Sequence, residues 1–187
     1  IILLRKVIFK KKAIDIKIIT NSFLPNWRKN ISYEKSYSAN KKLGGGVTLD
    51  LSHELDLATW LFGKIKIEYL KIGKFSKLKI NSEDTLKLIG KIGNSNFYLD
   101  LNYYSRNEMR TIIVDYFDKT VAVDLIKNEI KVIKNKSSKI IKLDKFNLNK
   151  TYVDLHKSII LNRNTNYLCN FKNALNLQKF IEKIKKR

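Results

Sequence analysis

Two residues capable of proton transfer, Asp50 and His53, lie three positions apart, directly after the triplet Gly44-Gly45-Gly46. Residues three apart on an α-helix share a face, so this spacing lets a carboxylate and an imidazole point into one cleft. Histidine exchanges protons near neutral pH, and an adjacent carboxylate can orient it and stabilise its charged form. A histidine in an amphipathic helix can equally be structural or merely exposed, and Asp50 can be a solvated helix residue. Spacing alone leaves both interpretations open.

The helix that must position this pair is predicted over residues 47–62. The glycine triplet can form the turn that enters it, and Gly63 is a typical C-terminal stop. Upstream, residues 13–20 alternate as expected for a strand. Residues 3–12 have the character of the end of a helix, with basic residues where the helix dipole favours them.

The middle of the chain is rich in β-forming residues separated by turn-forming ones. Strands are predicted over residues 65–75, 85–92, 96–104, 110–116, 120–125, 129–135 and 139–143. Connections this short favour antiparallel hairpins, because a parallel pair needs a crossover of a dozen or more residues. Two closing helices are predicted over residues 152–161 and 173–186 from their apolar spacing.

This order of elements predicts an α+β fold in a single domain over residues 1–187. The sheet should be open and mostly antiparallel, with the helices packed on one of its faces. If the other face is apolar it must also be covered, and self-association is the economical solution. We therefore expect a homo-oligomer that forms through the sheet face.

Composition limits the partners and the compartment. The single cysteine, Cys169, excludes an internal disulfide and a multi-cysteine zinc site, which favours a reducing cytoplasm, and a buried thiol is expected there. No apolar run approaches the roughly 18–20 residues that span a bilayer, so no membrane association is predicted. The net charge of +21 invites a nucleic-acid interpretation. However, the lysines are dispersed and accompany abundant isoleucine and asparagine, as compositional drift toward A/T-rich codons produces. Nucleic-acid binding is therefore not predicted.

Residues 44–63 resemble the family of glucose–fructose oxidoreductase, inositol dehydrogenase and MocA-type dehydrogenases (Gfo/Idh/MocA). In that family a glycine-rich turn leads into a helix that bears an aspartate and, one turn later, a histidine facing the substrate. The family's usual interval between the two is often four residues rather than three. Segments similar to the family's flanking sequences occur in the expected order, at residues 22–28, 82–85 and 170–175.

The resemblance implies the C-terminal, substrate-binding and dimerisation domain of an NAD(P)-dependent dehydrogenase of sugars or polyols. His53 is then the proton-transfer residue and Asp50 its electrostatic partner. Trp27, Arg28 and Tyr33 are candidate substrate-binding residues, because aromatic faces and guanidinium groups suit a sugar or polyol-like small molecule. Core packing is the alternative for Trp27.

Full-length members of the family begin with a dinucleotide-binding domain marked by a G-x-G-x-x-G turn, and this chain has no such turn. NAD or NADP is therefore expected to be held mainly by a missing N-terminal domain, with residues 1–12 as a remnant of the junction helix. No cofactor-binding residue and no metal ligand is assigned here. The chain begins with Ile1 rather than methionine, and a truncated protein that is inactive alone is expected. The alternative is a non-catalytic ligand-binding or dimerisation module.

Overall fold

A computed structural model describes residues 2–8, 12–143, 147–162 and 168–186 of the chain. The α-helices of this part are α1 (Ile2–Ile8), α2 (Val47–Asp50), α3 (Ser52–Phe62), α4 (Leu148–Ile160) and α5 (Phe171–Lys185). The strands are β1 (Asp15–Phe23), β2 (Ile65–Gly73), β3 (Thr85–Ile92), β4 (Ser95–Asn102), β5 (Tyr104–Asp115), β6 (Thr120–Asp124), β7 (Glu129–Lys134) and β8 (Ser137–Lys142). Four short 3-10 helices lie between β1 and α2, at Leu24–Asn26, Tyr33–Lys35, Tyr37–Ala39 and Lys41–Leu43.

The eight strands form one open sheet in the order β2-β3-β4-β1-β5-β6-β7-β8. Every neighbouring pair is antiparallel except β1 and β4, which are parallel. Because β1 lies between β4 and β5, the chain leaves β4, turns over the end of β1 at Tyr103 and returns as β5. The predicted α+β fold with an open, mostly antiparallel sheet is confirmed.

Helices α3 and α5 pack on one face of this sheet, as predicted, whereas α4 buries none of its residues. Along β1 the inward side chains Ile16 and Ile18 are buried, whereas their neighbours Asp15 and Lys17 lie on the opposite face. On the helical side, α3 buries Leu55, Ala58 and Leu61, and α5 buries Ile181 and Ile184. One continuous hydrophobic core joins these helices to the strands. Its burial is the main source of stability.

The prediction of a single helix over residues 47–62 is wrong. Leu51 has φ −103° and ψ 21°, and it separates α2 from α3. The break allows α2 to stay anchored to the segment before β3, where the Glu83 carbonyl accepts a hydrogen bond from Val47 N–H (3.0 Å). At the same time the side chains of Leu51 and Leu55 are both buried.

Helix α4 presents an apolar face that it does not bury. None of its residues is buried. Its large apolar side chains are between 42% and 78% exposed, namely Leu148, Tyr152, Val153, Leu155, Ile159 and Ile160. Apolar side chains grouped on one helix surface in this way are typical of a contact region.

No helix in the described part of the chain has both the length and the apolar character needed to cross a bilayer.

Candidate active site

Two glycines of the triplet, Gly45 and Gly46, are required sterically in the turn that enters α2. A Cβ at Gly45 would lie 2.1 Å from the backbone oxygen of Tyr37. Gly46 has φ +126°, a conformation that residues with a side chain rarely adopt, and a Cβ there would lie 2.3 Å from Cδ of Glu83. The triplet therefore lets the backbone approach its neighbours closely enough to fix the start of α2.

Asp50, at the end of α2, is held by a buried tyrosine. The hydroxyl of Tyr103 donates a hydrogen bond to Asp50 Oδ2 at 2.5 Å, and the Tyr103 side chain is fully buried. Burial raises the pKa of the Tyr103 hydroxyl, and the Asp50 carboxylate raises it further, so the hydroxyl stays protonated and can only donate to this carboxylate. Trp27 packs edge-to-face against Tyr103, with ring centroids 5.2 Å apart. Asp50 and Trp27 are thus linked through one ring.

His53, in the first turn of α3, contacts a different carboxylate. Its side chain is 52% exposed, and Nε2 lies 3.2 Å from Oε1 of Glu54. Glu54 is fully buried, and Arg110 of β5 donates from Nε to the same oxygen at 2.7 Å. Burial acts to raise the pKa of Glu54, but the hydrogen bond from His53 and the charge of Arg110 outweigh it and lower the pKa below its ordinary value. The structure therefore holds a buried, ionised carboxylate beside His53.

The two predicted catalytic residues do not contact each other. Among the described residues, no hydrogen bond or ion pair joins Asp50 to His53: Asp50 binds Tyr103 and His53 binds Glu54. The break at Leu51 lies between them, so the argument from a continuous helical face does not apply. The catalytic roles of Asp50 and His53 remain predictions.

The side chain of His53 opens onto a large groove between α3, β2 and α5, which we call the His53 groove. Its volume is about 1460 Å³, and Trp60, Leu177 and Phe180 contribute apolar surface. Its positively charged lining residues are Lys64, Lys66, Arg110, Lys179 and Lys183. Ligand pockets typically have volumes of about 300–1,000 Å³, so the groove has room for a small molecule.

The predicted substrate residues lie together in a different part of the structure from His53; they are Trp27, Arg28 and Tyr33. They line a separate pocket of about 10 Å³, which shares no residue with the His53 groove and has room for about one water molecule. Trp27 Nε1 donates to Ser22 Oγ at 3.0 Å, and the Arg28 guanidinium lies 5.0 Å from the ring centroid of Tyr37. Their role toward a substrate remains a prediction.

Sequence reasoning missed Glu54, Arg110 and Tyr103. Glu54 carried a detectable signal, because it lies three residues after Leu51 and four before Ala58, on the buried stripe of the helix. Arg110 and Tyr103 carried none, since Arg110 lies in β5 and Tyr103 lies between β4 and β5, far along the chain. Cys169 was expected to be buried, and this is wrong: it is exposed and lines the His53 groove.

In the described part of the chain, no three His, Cys, Asp or Glu side chains are grouped so that they could hold a metal ion.

Comparison with known proteins identifies a family. The sequence profile described as "Oxidoreductase family, C-terminal alpha/beta domain" matches residues 10–186. Among proteins of curated function, no sequence match reaches significance.

Solved structures with the same fold are distant in sequence. Levoglucosan dehydrogenase in complex with NADH has a TM-score of 0.80 at 11% identity, over 98% of this chain and 59% of that one. A super-repressor mutant of Gal80p from Saccharomyces cerevisiae has a TM-score of 0.73 at 12% identity, over 99% and 59%. UDP-N-acetylglucosamine 3-dehydrogenase from Acidithiobacillus ferrooxidans has a TM-score of 0.70 at 15% identity, over 97% and 55%. This chain therefore spans little more than half the length of each of these proteins.

Proposed function

Because the chain belongs to the oxidoreductase family whose C-terminal alpha/beta domain matches residues 10–186, we propose that it forms the substrate side of an NAD(P)-dependent dehydrogenase. The substrate class is a sugar or related polyol. Levoglucosan dehydrogenase and UDP-N-acetylglucosamine 3-dehydrogenase, two of the structures that share this fold, act on sugar derivatives by name.

The observation that carries this proposal is a half-exposed histidine at the edge of a groove, beside a buried carboxylate. Oxidation of a secondary alcohol needs a base that takes the hydroxyl proton while hydride leaves the same carbon. His53 is exposed enough to meet a ligand, and Glu54 stabilises the imidazolium that forms.

Asp50 is proposed to contribute negative charge at the same end of α3. Its hydrogen bond from Tyr103 fixes its carboxylate. Trp27, Arg28 and Tyr33 are proposed to contact parts of the substrate distant from the reacting carbon. At about 10 Å³ their pocket cannot hold a whole sugar, so this role requires the loop that contains them to open.

The hydride acceptor, NAD or NADP, is proposed to bind mainly to a dinucleotide-binding unit that packs against this chain and not to this chain alone. The exposed apolar face of α4 supports this arrangement, because it offers a surface that such a unit can cover. We also propose a cytoplasmic location.

Self-association through the sheet face opposite the helices is proposed as well. That face carries the ion pairs Lys17–Asp115 (3.2 Å) and Lys87–Asp100 (2.7 Å), with Ile89 47% exposed beside them. An Ile89→Lys variant should lower the mass measured by sedimentation equilibrium, because it adds a charge to an apolar contact. An unchanged mass would place the contact elsewhere.

To test the dehydrogenase proposal, this chain is combined with a dinucleotide-binding domain, and reduction of NAD and of NADP is measured with a panel of sugars and polyols. The chain contains two histidines, so His156→Ala on the exposed face of α4 is a matched control for His53→Ala. Loss of the base should reduce kcat about 10²–10⁴-fold in His53→Ala. His156→Ala lies on α4 and should keep a normal kcat when the dinucleotide-binding domain is present at saturating concentration. Full activity in a folded His53→Ala protein would remove His53 from the mechanism.

A non-catalytic ligand-binding or dimerisation module is the second candidate. The shared fold of a super-repressor mutant of Gal80p favours it, because it shows that this architecture is not confined to proteins named as dehydrogenases. It predicts ligand binding with no hydride transfer under any combination of cofactor and sugar, and equal behaviour of the two histidine variants.

A further inference from the structure

The two oxygens of the Glu54 carboxylate have different surroundings. Its Oε1 accepts from Arg110 Nε at 2.7 Å and lies 3.2 Å from His53 Nε2. Its Oε2 is buried without a hydrogen-bond partner. An ionised carboxylate only accepts hydrogen bonds, so the nitrogen that faces it must carry a proton.

We propose that Glu54, fixed by Arg110, is a positioning residue that keeps the neutral His53 ring protonated on Nε2 and presents Nδ1 to the groove as the proton acceptor. The use of Nδ1 in catalysis rests on the proposed dehydrogenase function. The fixed tautomer does not.

The carboxylate is rigidly held, which is what a positioning role requires. Glu54 is fully buried on α3, whereas Arg110 belongs to β5, so the contact joins the helix to the sheet. Moving the carboxylate away from Arg110 would leave a buried charge uncompensated, which is strongly unfavourable. His53 is the half-exposed member and adapts to the carboxylate.

The other charged groups around the ring do not compete for it. Asp56 from α3, Lys64 from the link before β2, Lys66 from β2, and Lys179 and Lys183 from α5 face the same groove. Among the described residues, none of these forms a hydrogen bond or an ion pair with His53. The contact of Nε2 with Glu54 therefore decides the tautomer.

In the proposed reaction, the O–H bond of the substrate hydroxyl breaks and the electron pair of Nδ1 forms a new N–H bond. The C–H bond at the same carbon breaks, and hydride passes to the nicotinamide of NAD(P). A carbonyl, the reduced cofactor and an imidazolium result. The imidazolium then holds protons on both nitrogens, and its Nε2–H donates to the Glu54 carboxylate throughout.

The test is nitrogen NMR of the chain with labelled histidine, at a pH where both rings are neutral. His156 is an internal control with the opposite tautomer, because its Nδ1 lies 2.8 Å from the carbonyl oxygen of Tyr152 and must donate to it. In the wild-type protein we expect His53 on the Nε2–H form. In Glu54→Leu the Nδ1–H fraction of His53 should rise about tenfold, equivalent to about 1.4 kcal/mol, with no change at His156.

Glu54→Gln is the second variant, in case leucine disturbs folding. It keeps an acceptor oxygen but removes the charge, and charge-assisted hydrogen bonds are roughly twice as strong as neutral ones. The Nδ1–H fraction of His53 should therefore rise only about threefold. A wild-type His53 with its proton on Nδ1, or equal tautomer fractions in wild type and both variants, would overturn the assignment of Glu54.

The NMR experiment needs no enzymatic activity, so the two proposals fail separately. The expected tautomer shift together with normal turnover of His53→Ala supports the positioning role of Glu54 and contradicts the dehydrogenase mechanism.

Discussion

Replacing Arg110 with methionine should destabilise the protein, because it leaves the fully buried carboxylate of Glu54 with only a neutral partner. Breaking one side of a buried ion pair costs about 3–5 kcal/mol. The Arg110 side chain is 41% exposed, so solvent screens part of the interaction and the estimate falls to about 2 kcal/mol. Methionine keeps most of the aliphatic stem, which limits the loss of packing.

The effect should depend on pH in a defined direction. The folded-state pKa of Glu54 lies below its ordinary value of 4.5. Its ionised form therefore stabilises the wild type fully above about pH 4.5, and this contribution is lost as pH falls through the folded-state pKa. In Arg110→Met the buried carboxylate destabilises the fold at neutral pH, and protonation relieves that penalty. The difference between the two proteins should thus be largest near pH 7 and shrink below pH 4.5.

Urea denaturation of four proteins at pH 7 and at acidic pH measures this effect. Arg106→Met is the matched control, because Arg106 belongs to the same strand but is exposed over the Phe23 ring (4.5 Å), an interaction of about 0.5–1 kcal/mol. The double variant Glu54→Leu/Arg110→Met should return to within about 1 kcal/mol of wild type, since apolar replacements of buried pairs are often neutral. If Arg110→Met matches Arg106→Met, or its loss does not shrink in acid, the buried-pair argument is refuted.

Three further predictions concern local contacts. Gly46→Ala should lower the stability measured by thermal denaturation by about 2 kcal/mol, because Gly46 has φ +126°. Gly93 has φ +59° and lies in open space, so Gly93→Ala should cost only about 1 kcal/mol. Equal losses would contradict the steric account of the turn. Tyr103→Phe should lose about 1 kcal/mol and weaken sugar binding in calorimetry, whereas Tyr116→Phe, which loses a hydrogen bond to a backbone carbonyl, should lose only stability. Ile159→Ser should change the free energy of unfolding by less than about 0.5 kcal/mol, because the side chain is 58% exposed. It should also reduce aggregation of the isolated chain, measured by light scattering. A larger loss of stability would show that Ile159 is covered in the protein.

The local elements of the fold were largely predictable from the sequence. The strand Thr85–Ile92 was predicted with its observed bounds, because apolar alternation and flanking turn residues define it. Strand β5 begins at Tyr104 instead of residue 110. Its first residues are mostly polar, and the strand is extended by the pairing of Tyr104 with Phe23 and of Met109 with Asn21. The parallel pairing of β1 with β4 joins distant parts of the chain, and no local pattern specifies it.

The candidate site was predictable only in part. The glycine triplet located the region and drew attention to Asp50 and His53. The contact of His53 with Glu54 was not predicted, because the interval argument assumed a helix without the break at Leu51. Glu54 was recognisable as a charged residue on a buried stripe, but the arginine that stabilises it comes from β5 and could only be identified in three dimensions.

The central claim is that a sugar or polyol binds in the groove beside His53. Histidine NMR of the chain during titration with a panel of sugars and polyols tests it most directly, because only two histidines contribute signals. We predict that at least one compound shifts the His53 resonances in a saturable manner while those of His156 stay in place. Equal shifts of both histidines, or no shift of His53 with any compound, would contradict the claim.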